Sequence, residues 1–157
     1  MVLTAGLVSA MLWGSSVSPA RAANVNMGTN ECNAGAFSES QDTVLHSSTS
    51  VSSTGNVVSL PFIVCALPRS PLQPGATFGG FYIDGDNFFG ATTSCTITSV
   101  DYTGLFLGSS TVSSTALSFD MFVTLPAAQL PTYAYTYLIC RLGKFGNSTL
   151  RGVTSLQ

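Results

Sequence analysis

The sequence predicts an all-β protein: one antiparallel β-sandwich, Ig-like or jelly-roll-like, of about seven strands and tied by two disulfides. Three observations predict it. After Asn56, short apolar or alternating runs are separated by Gly, Pro, Asn and Asp, the mark of successive strands. No stretch of useful length carries the 3.6-residue periodicity of an amphipathic helix. Four cysteines follow an apolar leader that addresses the chain to an oxidising compartment.

That leader occupies residues 1–22. It is apolar from Met1 to Trp13 and closes on Ala20-Arg21-Ala22, an A-x-A cleavage pattern, so the working protein is expected to begin near Ala23 and to be secreted, periplasmic or extracellular. Gly14, Ser15, Ser16, Ser18 and Pro19 end the apolar run short of the roughly 20 residues that a membrane span needs. No membrane span is expected after cleavage. Removing residues 1–22 from 157 leaves 135, the size of one domain. Arg21 goes with the leader, leaving four basic residues of the five against seven acidic, a formal charge of −3. That balance excludes a phosphate-tracking surface, so no nucleic acid partner is expected.

Residues 23–56 read as an irregular lead-in, turn-forming through Asn24, Asn26, Gly28, Asn30, Asn33 and Gly35 and pinned by Cys32. A weak strand is foreseen within 37–46. The Ser/Thr-rich run from His46 to Asn56 reads as a loop in preference to a hydroxyl-rich edge hairpin. Residues 57–157 form the expected sandwich core, with strands near 57–67, 78–84, 92–101, 115–125, 133–142 and 148–155. Leu117, Phe119, Met121, Val123 and Leu125 alternate with Ser118, Asp120, Phe122 and Thr124, which places that strand on a core. Leu60 to Leu67 is apolar on both parities, as a central strand covered on two sides requires. Asp84-Gly85-Asp86-Asn87 and Asp101-Tyr102-Thr103-Gly104 read as turns.

Cys32, Cys65, Cys95 and Cys140 make an even count with no C-x-x-C spacing, and a chain with one His has little to offer zinc. Three connectivities are open. Cys32 with Cys65 and Cys95 with Cys140 is favoured, because the last two sit in the clearest strands and each strand can be the other's neighbour.

Val64-Cys65-Ala66-Leu67-Pro68-Arg69, then Ser94-Cys95-Thr96 with Ser99-Val100-Asp101 and Gly104, then Tyr137-Leu138-Ile139-Cys140-Arg141-Leu142 and a terminal strand, resemble a pattern of uncharacterised secreted bacterial β-sandwich proteins with disulfides. The resemblance covers about residues 64–157 and implies an exported β-sandwich. It implies no activity. Those proteins carry Cys-Pro where this chain has Cys65-Ala66, so the turn after that strand is expected to differ.

No motif for catalysis, phosphate or metal binding is present, and no cofactor is expected. A Ser-His-Asp triad has only His46 for its base and lacks a Gly-x-Ser-x-Gly elbow, so a surface histidine is the plainer reading. Glycoside hydrolysis needs two carboxylates across a cleft. Asp84, Asp86, Asp101 and Asp120 are the candidates, but turn-capping explains the first three, and only Asp120, on an alternating strand, lacks such an account. Asp84, Asp86 and Asn87 offer hard oxygen ligands for calcium without the later bidentate Glu, and a hairpin turn suffices. Asn147-Ser148-Thr149 fits a glycosylation sequon, with a turn before the last strand as the simpler role.

The most suggestive feature is Tyr133, Tyr135 and Tyr137, which at period two share one strand face. High strand propensity explains tyrosines there. An exposed row would also stack on sugar rings or on a protein surface. The expected role is therefore a non-catalytic, exported binding or surface-structural domain. A subunit that self-associates through edge strands, permitted by the 8% charged content, and a small secreted glycoside hydrolase are the alternatives.

Overall fold

The computed structural model describes residues 25–28, 32–34, 44–46, 50–53, 62–67, 72 and 75–156. The proposed leader, residues 1–22, lies outside them. Among the described residues are eleven strands: β1 (Val25–Gly28), β2 (Cys32–Ala34), β3 (Val44–His46), β4 (Val51–Ser53), β5 (Phe62–Leu67), β6 (Phe78–Asn87), β7 (Thr93–Val100), β8 (Phe106–Ser114), β9 (Ser118–Pro126), β10 (Tyr135–Arg141) and β11 (Ser148–Leu156). They form two antiparallel sheets. One has six strands in the order β3-β4-β11-β6-β9, with β1 also on β11; the other has five in the order β2-β5-β10-β7-β8.

The all-β sandwich with two disulfides is the predicted class. Its strand count is higher, because segments assigned to irregular chain supply short strands to sheet edges. β1 and β2 arise within the lead-in and pair with β11 and β5. β3 and β4 pair with each other, so the Ser/Thr-rich run enters an edge hairpin and not a plain loop. Hydroxyl side chains tolerate an edge position because their outer face stays wet.

The sheets close on one apolar cluster. Phe81 and Ile83 of β6, Phe119, Met121, Val123 and Leu125 of β9, and Leu150 and Val153 of β11 face Ile63, Ile97 and Leu138 from the other sheet. Along β9 burial alternates residue by residue, as the sequence pattern requires. In β11 the register shifts between Leu150 and Gly152, a bulge that lets Leu150 and Val153 both face inward while Arg151 turns out.

Asp84-Gly85-Asp86-Asn87 is not a turn. β6 runs straight through it, and the chain reverses afterwards at Phe89 (φ 53°) and Gly90 (φ 71°). The glycine serves close packing: a Cβ on Gly85 would stand 2.2 Å from the Thr149 carbonyl oxygen and 2.3 Å from the Phe119 ring. Asn87, 2% exposed, is the anchor of this end. Its amide donates to the carbonyls of Ser114 (2.9 Å) and Ala116 (3.1 Å), and its oxygen accepts from the hydroxyls of Thr93 (2.7 Å) and Ser148 (2.8 Å). One side chain thus joins both sheets.

The cysteines pair as favoured. Cys32–Cys65 links β2 to β5 and Cys95–Cys140 links β7 to β10, each between residues directly opposite in register. All four are fully buried on the core side of the five-stranded sheet.

Candidate functional site

β10 lies at the centre of the five-stranded sheet, and its alternation decides what that sheet shows outside. Thr136, Leu138 and Cys140 are buried, so Tyr135, Tyr137, Ile139 and Arg141 occupy the opposite, outer parity. Their neighbours on β7 are Val100, Thr98, Thr96 and Ser94, and beyond them β8 presents Phe106, Ser109, Thr111 and Ser113. On the other side β5 contributes Ala66, Val64 and Phe62. The result is a nearly uncharged outer face, with hydroxyl groups along β7 and β8 and aromatic rings towards both ends.

The hydroxyl groups are paired across the strands. Thr96 and Thr111 share a hydrogen bond at 2.8 Å, and the Ser113 hydroxyl donates to that of Ser94 at 3.2 Å. Next to them Phe62, Ser94, Thr96, Thr111, Ile139 and Arg141 line an open depression of about 380 Å³. The Arg141 guanidinium lies over the Phe62 ring, 4.6 Å from its centroid.

The expected row of three tyrosines is a row of two. β10 begins at Tyr135, and Tyr133 stands in the preceding turn, where the Ala134 N–H donates to the Pro131 carbonyl at 2.9 Å. Tyr133 instead meets Tyr102 edge-on, centroids 6.0 Å apart. Asp101 builds the loop that holds Tyr102. Its carboxylate accepts from the Thr103 hydroxyl (2.6 Å), the Thr103 N–H (2.8 Å) and the Leu105 N–H (2.9 Å). Chiefly the Thr103 hydroxyl, with those amides, holds the Asp101 carboxyl below its ordinary range. Asp101 is a turn residue, as foreseen. Tyr102, Tyr133, Tyr135, Leu105 and Phe106 are all more than half exposed at this end of the sheet.

The other acids among the described residues, Asp84, Asp86 and Asp120, lie on the outer parity of the six-stranded sheet. Asp84 stands opposite Asp120 in register. Partial burial first, then the neighbouring Asp120 carboxylate, raises the Asp84 pKa. This cross-strand pair brings together two of the four carboxylates named as candidates for glycoside hydrolysis. Asp86 is committed to Arg151, whose Nε donates to its Oδ2 at 2.6 Å. Tyr82 and Phe122 stack beside these acids with centroids 4.7 Å apart.

Calcium finds no site at Asp84-Asp86-Asn87, because the strand turns Asn87 inward and the acids outward. Among the described residues no group of three or more His, Cys, Asp or Glu could hold a metal. His46 ends β3, and its side chain lies outside the described residues. Asn147 sits in the turn before β11, where its N–H donates to the Lys144 carbonyl at 3.0 Å, and Ser148 of the sequon is buried.

Sequence reasoning missed Phe106 and Arg141. The segment 106–114 is poor in large apolar residues, since a sheet edge with a wet face needs few, and the apolar pattern marks no strand there. Arg141 was legible in principle: it continues the outward parity of Tyr135, Tyr137 and Ile139. β8 also ends its sheet as a nine-residue edge without charge or proline, the geometry that pairing between copies requires.

No family model matches the chain, and no curated protein matches it. Among solved structures it is similar to an isomalto-dextranase of Arthrobacter globiformis T6 complexed with panose, at 14% identity and a TM-score of 0.45, over 84% of this chain and 23% of that one. It is also similar to the Podospora anserina GH26-CBM35 β-(1,4)-mannanase, at 13% identity and a TM-score of 0.42, over 87% of this chain and 28% of that one. The chain thus spans about a quarter of each. Among the described residues no helix is long and apolar enough to cross a membrane.

Proposed function

We propose that this is an exported, non-catalytic domain that binds carbohydrate on the outer face of its five-stranded sheet. The observation that carries the reading is the make-up of that face: Tyr135, Tyr137, Phe106 and Phe62 around a field of Ser and Thr hydroxyls, with no acidic residue in any of the five strands. A pyranose ring has a C–H face that stacks on aromatic surface and a rim of hydroxyls that exchange hydrogen bonds with neutral donors and acceptors. The depression beside β10 gives a ring somewhere to sit, and its size falls in the range of small-ligand sites. Two buried disulfides under the face hold it rigid before binding and suit an oxidising compartment. Among the described residues the acids lie on the other sheet or in the Asp101 turn, which favours binding without turnover on this face.

A glycan array probed with the oxidised protein tests the reading. Retention of one class of glycan is expected, and Tyr135→Ala, which removes an exposed ring and leaves the core untouched, should weaken it about tenfold, in line with one lost stacking contact. Unchanged retention by Tyr135→Ala, or no glycan retained by the parent protein, would overturn it.

A further inference from the structure

Arg141 is the one charged residue in the strands of the five-stranded sheet, on a face otherwise built of hydroxyl, aliphatic and aromatic groups. Its counterpart on the other sheet, Arg151, is engaged by Asp86 at 2.6 Å. Arg141 makes no ion pair among the described residues. Its guanidinium is held at the rim of the depression by the Phe62 ring, 4.6 Å away, which fixes the plane of the group without consuming its charge. Ile139 supplies an apolar floor, and the Thr96–Thr111 and Ser94–Ser113 pairs supply oriented hydroxyls along one side.

Resting on the reading above, we propose that this depression selects acidic saccharides, with a uronate ring lying over Ile139 and its carboxylate paired to Arg141. A carboxylate is planar and matches the guanidinium fork with two parallel N–H···O bonds, whereas a neutral sugar leaves that fork facing water. The protein as a whole has a formal charge of −2, so general attraction does not draw an anionic polymer to it. The preference must come from this one cation and the geometry around it. Arg141 is exposed, so replacing it leaves the core intact.

The test is binding of the oxidised full-length mature protein to oligogalacturonate, to the same oligomers as methyl esters, to a neutral galactan and to dextran sulfate, with Arg141→Gln and Arg141→Lys alongside. Oligogalacturonate should bind at least tenfold more tightly than its methyl ester. Arg141→Gln should abolish that difference with an unchanged Tm, and Arg141→Lys should restore only part of it, because an ammonium cannot form the paired bonds. Equal binding of the acid and the ester, dextran sulfate binding as tightly as oligogalacturonate, or a preference that survives Arg141→Gln would overturn the acidic selectivity while leaving carbohydrate binding in place. Failure of every glycan to bind would instead remove the carbohydrate reading and this inference with it.

Discussion

In the five-stranded sheet the strands carry one charge, Arg141, and both disulfides lie on the inner side; in the six-stranded sheet Asp84, Asp86, Asp120 and Arg151 cover the outside, and hydrogen bonds and packing hold the strands. On the proposed reading, a strand face that stays flat, neutral and ordered while it meets a ligand gains little from ion pairs. Surface salt bridges contribute about 0–1 kcal/mol and leave long side chains standing on the surface. Cross-strand disulfides order the same strands from below. The other sheet carries Asp84, Asp86 and Asp120 outside and reaches density through Gly85, Phe119 and the Asn87 anchor.

The sharpest way to break this comparison is to remove the bridges. Their ends are 33 and 45 residues apart in sequence. In the chain-entropy model each is worth about 4 kcal/mol. Reduction, or Cys95→Ala with Cys140→Ala, should lower the denaturation midpoint more than any surface change on the six-stranded sheet. Hydrogen exchange should quicken first in β5, β7 and β10. Equal quickening in β6 and β9 would show that the two sheets stand or fall together and that the bridges do not specifically order the outer face.

Next in size is Asn87, the six-stranded sheet's answer to a disulfide. Asn87→Ala strands the hydroxyls of Thr93 and Ser148, both fully buried, and the carbonyls of Ser114 and Ala116. Buried polar groups without partners cost about 1–3 kcal/mol each when water cannot reach them. A loss of about 3 kcal/mol by urea denaturation is expected, given partial relaxation at a site near the loops. A loss below about 0.5 kcal/mol would mean that water replaces the amide without penalty.

What the sequence disclosed and what it hid follow the same division. The five-stranded sheet was legible at β7 and β10, whose pairing the favoured Cys95–Cys140 bridge rests on, whereas β5, apolar on both parities and expected to be covered on two sides, buries only alternate residues and leaves Ala66 exposed. β8 escaped notice because beyond Phe106 its outward positions are Ser and Thr, and of its residues only Val112 packs against the core. Asp-Gly-Asp-Asn looked like a hairpin because Gly and Asn serve turns in most contexts. Here Gly85 admits the Phe119 ring, and Asn87 satisfies four groups across the sandwich, neither of which local sequence records. The tyrosines were seen as a row. The turn at Pro131, which takes Tyr133 off the strand to meet Tyr102, depends on a contact with a different loop.

The smallest expected effect separates the two faces by sign. Asp84, on the six-stranded sheet, has its pKa raised by partial burial and by Asp120, so the folded protein holds that proton more tightly than the unfolded chain does. Its stability is therefore full below the unfolded pKa and falls as pH rises through the window up to the raised value. Asp101, at the end of the five-stranded sheet, has its pKa lowered, chiefly by the Thr103 hydroxyl, so its contribution is present above the unfolded value and is lost as pH falls through the folded one. Asp84→Asn should raise Tm at pH 7 and leave it unchanged at pH 3, where the carboxyl is already protonated in both states. Asp101→Asn should lower Tm at pH 7, with the deficit disappearing in acid. If both variants shifted Tm in the same direction at pH 7, the acids would not be distinguished by their settings, and the Asp84–Asp120 pair would have to be held by attractive contacts that outweigh its repulsion.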